Sequence, residues 1–347
     1  MGYDSGGSSQ RIAVVVIVVV VAATLGISSV FMPQPENGPS LTTTPVTLPE
    51  IWQEDHAPIR ITNDSELHEK AISEEWRGNG TFEYPYVIED YYIIADRWCV
   101  FIRNVSLNIV IKDCFFHGDK QLYSKGVYVE SASNVFVYEC FFNQIDEGVT
   151  FFFVEHSNVS SCTFLEVNTG VNATLSAHVG FYDCVMAGGS GDWYYDDFKV
   201  SCPRGAVGAF IVGSNDTVTC SLNLTNYEWG VLAQFSNNCS ISHSALWHNV
   251  QGIQIDYQCT NWMIQQNKVV HNERVGICIG EKCYVIRSWL NSIGWNNETN
   301  ALDNGSENYW DDGKEIGNSW SDYNGSGSYL VPGAAESVDR YPTLLLP

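Results

Sequence analysis

Two histidines are spaced so that they could share a metal ion. His248 in "WHNVQG" and His271 in "VHNERVG" each follow, by four residues, a position that recurs along the chain. If the recurrence stacks the chain into coils, the two imidazoles would lie about 4.8 Å apart, the spacing of neighbouring strands. Imidazole is a common ligand of zinc and copper, so the pair would supply half of a metal site. The alternative is a stack of turn histidines that binds no metal.

Three aspartates near the C-terminus could bind a hard cation. Asp311 and Asp312 in "NYWDDG", and Asp322 in "NSWSDYNG", stand among Asn and Gly residues that leave carbonyl oxygens accessible. Ca²⁺ takes about six to eight oxygen ligands of these kinds. The segment lacks a regular Asp-x-Asp-x-Asp-Gly spacing, and Asp-Gly is also ordinary turn chemistry. The competing interpretation is that Trp310, Trp320 and Tyr323 only cover the last apolar layer of the domain.

A third cluster combines acids with aromatic rings in the stretch "GDWYYDDF". Aromatic rings stack on sugar faces, and carboxylates bind hydroxyl groups or cations, so the stretch is a candidate saccharide contact. A solvated loop on the side of the domain is the alternative. The cluster consists of Asp192, Trp193, Tyr194, Tyr195, Asp196 and Asp197.

The elements that must position these residues repeat along the chain. Apolar residues alternate within each unit, as at Val135 and Val137, which predicts short half-buried strands. A unit of roughly 22 residues cannot bury its apolar face alone, so the units must stack. We therefore predict an all-β, single-stranded, right-handed parallel β-helix of about 8 to 10 coils. Its repeated turn position is predicted at Cys114, Cys140, Cys162, Cys184, Cys220, Ser244, Asn267 and Ser288.

These eight positions are expected to form an inward structural ladder, in which Ser and Asn hydrogen-bond along the stack. Stacked Cβ atoms about 4.8 Å apart exceed the usual disulfide separation of about 3.5 to 4.5 Å, so buried free thiols are expected. The chain has 11 cysteines, and at least one is unpaired in any redox state.

The N-terminal region predicts export. Residues 12–32 form an apolar run of the length that spans a bilayer as a helix. We predict a short cytoplasmic tail over 1–11, a single transmembrane anchor over 12–32 and a Pro/Thr-rich stalk over 33–55. A cleaved signal peptide is the alternative for the apolar run. In either case the rest of the chain is extracellular, and in the first case it is held at the cell membrane.

The composition limits the partners of the exported domain. A net charge of −23 would repel nucleic acid phosphates, so no nucleic acid partner is expected. The many Asn-x-Ser/Thr sequons predict a glycoprotein. They lie at Asn63, Asn79, Asn104, Asn158, Asn172, Asn215, Asn223, Asn238, Asn297, Asn304 and Asn324.

Over residues 56–342 the chain resembles right-handed parallel β-helix proteins, in particular archaeal surface members with repeats like those of the periplasmic copper-binding NosD family. The opening "HAPIRITNDSELHEKAISEEWRGNGTFEYPYVIEDYYI" is similar to the family's helical N-terminal cap, and "NYWDDGKEIGNSWSDYNGSGSYLVPGAAESVDRYP" to its terminal segment. The resemblance implies a cap over 56–92, coils over 93–300 with an insertion near 187–205, and a capping segment over 301–347. Caps are expected physically, because an open end would expose unpaired strand edges.

The predicted function is surface binding, of a polysaccharide or cell-surface glycan, or surface architecture. One alternative is a polysaccharide lyase or hydrolase, which would need carboxylates stacked on adjacent coils. The outward positions after the turn glycines carry amides, hydroxyls and isolated acids, so we do not predict an enzyme. The other alternative is a copper-handling accessory protein. Of the cofactors, Ca²⁺ is favoured over copper by the residue types.

Overall fold

The structure, a computed structural model, describes residues 54–95, 97–195 and 198–347. The predicted tail and anchor, and nearly all of the predicted stalk, lie outside these residues. A search of the described residues found no helix that is both long and apolar enough to cross a membrane. Residues Gln53–Pro347 form one compact unit.

The chain forms a right-handed parallel β-solenoid of about 11 turns, which confirms the predicted all-β class and slightly exceeds the predicted number of coils. Each turn visits three long parallel sheets in the same order. Sheet 1 consists of Glu54–Asp55, Tyr91–Ile94, Phe115–His117, Phe141–Asn143, Thr163–Val167, Val185–Gly188, Asn223–Thr225, Ala245–Trp247, Lys268–Val270, Ser292–Gly294, Ser319–Trp320 and Thr343–Leu344.

The other two sheets complete the walls of the solenoid. Sheet 2 consists of Ile59–Ile61, Trp98–Arg103, Lys125–Glu130, Glu147–Phe152, Thr169–Thr174, Gly205–Val212, Tyr227–Gln234, Gln251–Asp256, Val275–Ile279 and Thr299–Asp303. Sheet 3 consists of Tyr86–Glu89, Ile109–Lys112, Val135–Tyr138, Glu155–Ser160, Ala177–Tyr182, Val218–Cys220, Ser240–Ser242, Met263–Gln265 and Arg287–Trp289. Two antiparallel hairpins stand outside the walls: Gly191–Tyr195 with Phe198–Cys202, and Tyr329–Leu330 with Val338–Asp339.

The helix of the predicted N-terminal cap is present as Asp64–Ser73. Asn63 caps it, because its Oδ1 accepts a hydrogen bond of 2.9 Å from the Glu66 amide. Leu67 and Ala71 are buried in the same core as the coils. The next residue, Ile72, is 66% exposed and does not join this buried side of the helix.

Four cysteines form the predicted ladder immediately after sheet 3. Cys114, Cys140, Cys162 and Cys184 are all buried and free. Each thiol lies within hydrogen-bonding distance of the carbonyl two residues before it, as Cys162 Sγ does with Ser160 O at 3.2 Å. Burial raises the pKa of the Cys140 thiol, so this side chain behaves as a small apolar residue.

Two members of the predicted ladder are wrong. Cys220 pairs with Tyr182 and Ser242 on sheet 3 and points outward, so the ladder position of that coil is Leu222, whose amide donates to Ser244 Oγ at 3.1 Å. Ser288 lies within sheet 3, opposite Ile264. The ladder instead continues from Asn267 to Asn291, whose Oδ1 accepts from the Asn267 amide at 3.0 Å. Both errors arise because the coils differ in length, which shifts the repeat by two or three residues.

The corners after sheet 2 share one backbone conformation. After seven of the ten sheet 2 strands, the first residue is in the left-handed region, with φ between +48° and +59°. This conformation is unusual for residues other than Gly, Asn and Asp, and the stacked coils on either side hold it in place. The corner column is Asn104, Ser131, Phe153, Leu175, Gly213, Phe235 and Tyr257.

Candidate functional site

An open groove of about 440 Å³ runs along the corner between sheets 2 and 3, near the N-terminal end of the solenoid. It spans three successive turns of the chain, and two columns of side chains border a buried floor. It is lined by Asp64, Asn104, Val105, Ser106, Ser131, Ala132, Ser133, Phe153 and Glu155.

The groove exists because one corner is made of small residues. The turn Ser131–Ala132–Ser133 lies between the larger turns that contain Asn104 and Phe153. Ala132 occupies the inward position at which its neighbouring coils have valines, and it is 8% exposed. The backbone stays in register, since the Ser133 amide donates to Val105 O at 3.1 Å. The depression is therefore a property of the side chains on an unbroken coil.

Polar groups line the groove along its length. At one end Asp64, the first residue of the helix, accepts hydrogen bonds from the Ser106 amide at 2.9 Å and the Ser106 hydroxyl at 2.7 Å. Ser133 Oγ accepts from Asn134 Nδ2 at 3.2 Å, which leaves its hydroxyl proton for another acceptor. Glu155 lies exposed at the far end. The groove can thus both donate hydrogen bonds to the hydroxyl groups of a ligand and accept hydrogen bonds from them.

An aromatic ring stands beside these polar groups. Phe153 is 50% exposed although it lies on the solenoid wall. Its ring is supported edge-on by Phe152, with ring centroids 4.5 Å apart and planes at 66°. A fixed, half-exposed ring next to hydroxyl and carboxylate groups is the arrangement that a sugar ring can use, with its apolar face on the aromatic side chain and its hydroxyls on the polar groups.

The outer face of sheet 2 continues directly from the groove and is rich in rings and cations. The rings of Phe101 and Tyr128 are stacked, with centroids 5.7 Å apart and planes at 10°. Arg60 Cζ lies 5.7 Å from the Phe101 centroid, and Arg97 Cζ lies 4.4 Å from the Trp98 centroid. We define the basic face by these residues and the two neighbouring cations: Arg60, Arg97, Trp98, Phe101, Arg103, Lys125 and Tyr128.

Neither the groove nor the basic face was predicted from the sequence. Small residues at one turn, "SAS" in place of a bulky corner, were the available signal for the groove. The basic face could not be predicted from a local sequence pattern. It requires the pairing of Arg60 with Phe101 across more than forty residues that include the cap helix.

The predicted saccharide cluster lies on the first of the two hairpins. Gly191 pairs with Cys202, and Asp192 pairs with Ser201, whose hydroxyl donates to Asp192 Oδ1 at 2.7 Å. Asp196 and Asp197 lie outside the described residues, and Trp193, Tyr194 and Tyr195 are described by their backbone only. Sugar binding by this hairpin stays a prediction.

The two predicted metal-binding histidines do stack. The imidazole centroids of His248 and His271 are 6.1 Å apart, and the ring of Trp295 continues the stack at 5.4 Å from His271. Partial burial lowers the pKa of His271, and the nearby His248 and Lys268 lower it further, so the neutral imidazole is favoured. The third ring of the stack, after those of His248 and His271, is the Trp295 indole, which is not a metal ligand. Among the described residues, no group of three or more His, Cys, Asp or Glu side chains converges in a metal-binding geometry. The pair supplies two ligands of the several that a copper centre needs, and copper binding stays a prediction.

The C-terminal aspartates have protein partners. Asp311 is buried and forms a two-pronged ion pair with Arg340, which lowers the pKa of this carboxyl. Asp312 Oδ1 accepts from the amides of Lys314, Glu315 and Ile316, and these bonds lower its pKa. Asp322 accepts from the Tyr329 hydroxyl at 3.1 Å. Calcium would have to compete with these donors, and its binding stays a prediction.

None of the eleven sequon asparagines is buried. Asn104 belongs to the groove itself, so a glycan at this position would compete with any ligand there.

Cys220, displaced from the ladder, lies at the surface with its Sγ 3.9 Å from His243 Nδ1. This thiol–imidazole pair was missed, because Cys220 was assigned to the interior.

The fold and the wall geometry define the chain as a right-handed parallel β-helix protein. Within that class the predicted resemblance to the NosD family is confirmed: residues 199–325 match the family model described as periplasmic copper-binding protein (NosD). A family described as periplasmic agrees with an exported β-helix. No curated protein sequence matches the chain.

Solved structures of similar architecture have low sequence identity to the chain. The periplasmic alginate epimerase AlgG is 12% identical, with 85% of this chain and 86% of that chain covered and a TM-score of 0.44. A tailspike protein of E. coli bacteriophage HK620 is 10% identical, with coverages of 74% and 57% and a TM-score of 0.46. The A-module of the Azotobacter vinelandii mannuronan C-5 epimerase AlgE6 is 11% identical, with coverages of 84% and 87% and a TM-score of 0.40. Similarity at this level concerns the coiled architecture and does not identify a ligand.

Proposed function

We propose that this protein is an exported surface β-helix that binds a saccharide in the corner groove. The observation that supports the proposal is the exposed Phe153 ring beside the hydroxyls of Ser131 and Ser133, on a rigid wall. A rigid site binds with little loss of conformational entropy, so a modest set of contacts can suffice. The apolar run over 12–32 would anchor the protein in the membrane and hold the groove outside the cell.

The solenoid offers a matched control for this proposal. Phe235 occupies the same corner column as Phe153, has the same left-handed backbone and is also 50% exposed, but it does not line the groove. Replacement of either ring by Ala truncates a half-exposed corner ring that contacts one other ring, Phe152 for Phe153 and Tyr257 for Phe235. Only Phe153→Ala removes a ring from the groove.

The test is a glycan array probed with the full chain in detergent, followed by titration of the best ligand. Phe153→Ala should weaken binding by about tenfold, the equivalent of about 1.4 kcal/mol of ring contact. Phe235→Ala should leave binding unchanged. Asn104→Gln, which removes the sequon from the groove, should bind at least as well as the glycosylated protein.

A fourth variant separates the groove from the hairpin. Trp193→Ala removes a ring from the predicted saccharide cluster and should not affect binding if the groove is the site. Loss of binding in Trp193→Ala with retention in Phe153→Ala would transfer the function to the hairpin. An array without any bound glycan would contradict the proposed function.

A further inference from the structure

We infer that the saccharide is anionic and that its carboxylates bind to the basic face beside the groove. This inference rests on the proposed saccharide function and specifies the class of ligand. It follows from the distribution of charge on the solenoid wall, which differs from that of the rest of the protein.

The basic face reverses the charge balance of the chain. The whole sequence has 40 acidic and 17 basic residues. On this face, the described side chains include four cations, Arg60, Arg97, Arg103 and Lys125, and two carboxylates, Glu130 and Glu147. A local excess of positive charge on a strongly acidic protein attracts an anion to this face.

Two of these cations form ion pairs with neighbouring carboxylates, and two do not. Arg103 pairs with Glu130 at 3.4 Å, and Lys125 pairs with Glu147. Among the described residues, Arg60 and Arg97 form no ion pair and lie over aromatic rings instead. Glu66 on the cap helix accepts hydrogen bonds from the Thr62 amide and hydroxyl; these bonds lower its pKa, and the charge of Arg60 contributes less. The guanidinium groups of Arg60 and Arg97 are exposed, so both can donate hydrogen bonds to an incoming carboxylate.

The aromatic rings give these arginines a fixed position. Arg60, Phe101 and Tyr128 face outward at paired positions on three successive strands of sheet 2. Phe101 is only 6% exposed because its neighbours cover it, so its ring serves as a support, while the Tyr128 ring is partly accessible. A guanidinium held over a ring loses less conformational freedom on binding than a free one.

The face and the groove form one continuous surface. Arg103 directly precedes Asn104 at the groove, and Glu130 directly precedes Ser131. A chain of sugars that places one residue against Phe153 can therefore extend over the sheet 2 wall toward Arg60. Uronic acids carry one carboxylate per sugar, which suits cations spread over coils about 4.8 Å apart.

The experiment compares acidic oligosaccharides with their neutral counterparts. Galacturonate, mannuronate and glucuronate oligomers are titrated into the full chain, each beside the same oligomer with its carboxyl groups reduced to alcohols. We expect at least one acidic oligomer to bind about tenfold more tightly than its reduced form, and its affinity to fall as salt is raised.

Arginine variants assign the effect to the basic face. Arg60→Gln combined with Arg97→Gln should lower the affinity for the acidic oligomer by about tenfold and leave the reduced form unaffected. The control is Arg287→Gln on sheet 3. It removes another ring-supported arginine, whose Cζ lies 5.9 Å from the Tyr309 ring centroid. Circular dichroism checks that each variant is folded.

The outcomes separate this inference from the proposed function. Equal binding of acidic and reduced oligomers, or an unchanged affinity in the double arginine variant, would overturn the anionic ligand and leave saccharide binding intact. Binding confined to neutral glycans of the array would do the same. If neither acidic nor neutral saccharides bind, both proposals fail.

Discussion

The buried asparagine ladder offers the sharpest test of how the coils are held together. Asn291 Oδ1 accepts two hydrogen bonds from the coil before it, from the Asn267 amide and from Asn267 Nδ2, both at 3.0 Å. Asn291 Nδ2 donates to Ile264 O at 2.8 Å. The residue is 1% exposed, so water cannot replace these partners without opening the solenoid.

Replacement of Asn291 by Ala leaves two buried N–H donors of Asn267 without an acceptor. A buried donor left unpaired costs about 1 to 3 kcal/mol, so we expect a loss of about 2 to 6 kcal/mol in the free energy of unfolding. Asn291→Ser should recover about half of this loss. In the same column, Ser244 Oγ already accepts from the Leu222 amide at 3.1 Å, which shows that a hydroxyl can reach the preceding coil.

The assay is urea unfolding followed by circular dichroism, with hydrogen exchange of the Asn267 amide as a local measurement. The control is Asn237→Ala, which removes two inter-coil bonds near the surface, one to Asn215 at 3.3 Å and one from Thr260 at 2.6 Å. Because water can replace these partners, it should cost less than about 1 kcal/mol. The reasoning would be refuted if Asn291→Ala cost less than about 1 kcal/mol, or if the Ala and Ser variants were equally stable.

Three further predictions concern thiols, acid and calcium. Half-exposed Cys220 should react with a maleimide in the native protein, as mapped by mass spectrometry, whereas native labelling of buried Cys140 would contradict the inward ladder. Because the pKa of Asp311 is lowered, its ion pair stabilises the fold above the unfolded pKa of about 3.9 and is lost as the pH falls through the folded value. Arg340→Gln should therefore reduce the melting temperature at pH 7 more than in acid, and an equal reduction at both would argue against the pair. If calcium binds the C-terminal segment, it should raise the melting temperature, and Asp311→Asn with Asp312→Asn should abolish the gain; identical curves in calcium and chelator would exclude this.

The sequence predicts the fold because stacking imposes the same demand on every coil. Cys114, Cys140, Cys162 and Cys184 were assigned correctly, since the same residue type marks the inward position on each of these coils, even where the spacing is longer. The assignment failed at Cys220, which follows the hairpin insertion, and at Ser288, where a longer turn precedes the strand. Inter-coil register depends on turn lengths, and a loose repeat does not specify them.

The candidate site was harder to predict because it consists of departures from the repeat. At the corner after sheet 2 the backbone is the same for Asn104, Ser131, Phe153 and Phe235, yet the side chains range from hydroxyl to phenyl. The fold constrains the φ angle and the inward neighbour at this column and leaves the outward side chain free to vary. A depression forms where that freedom is used for small residues beside a large one, as at Ser131 beside Phe153. In a solenoid the regular residues therefore specify the architecture, and it is at the irregular outward residues that a ligand site must be sought.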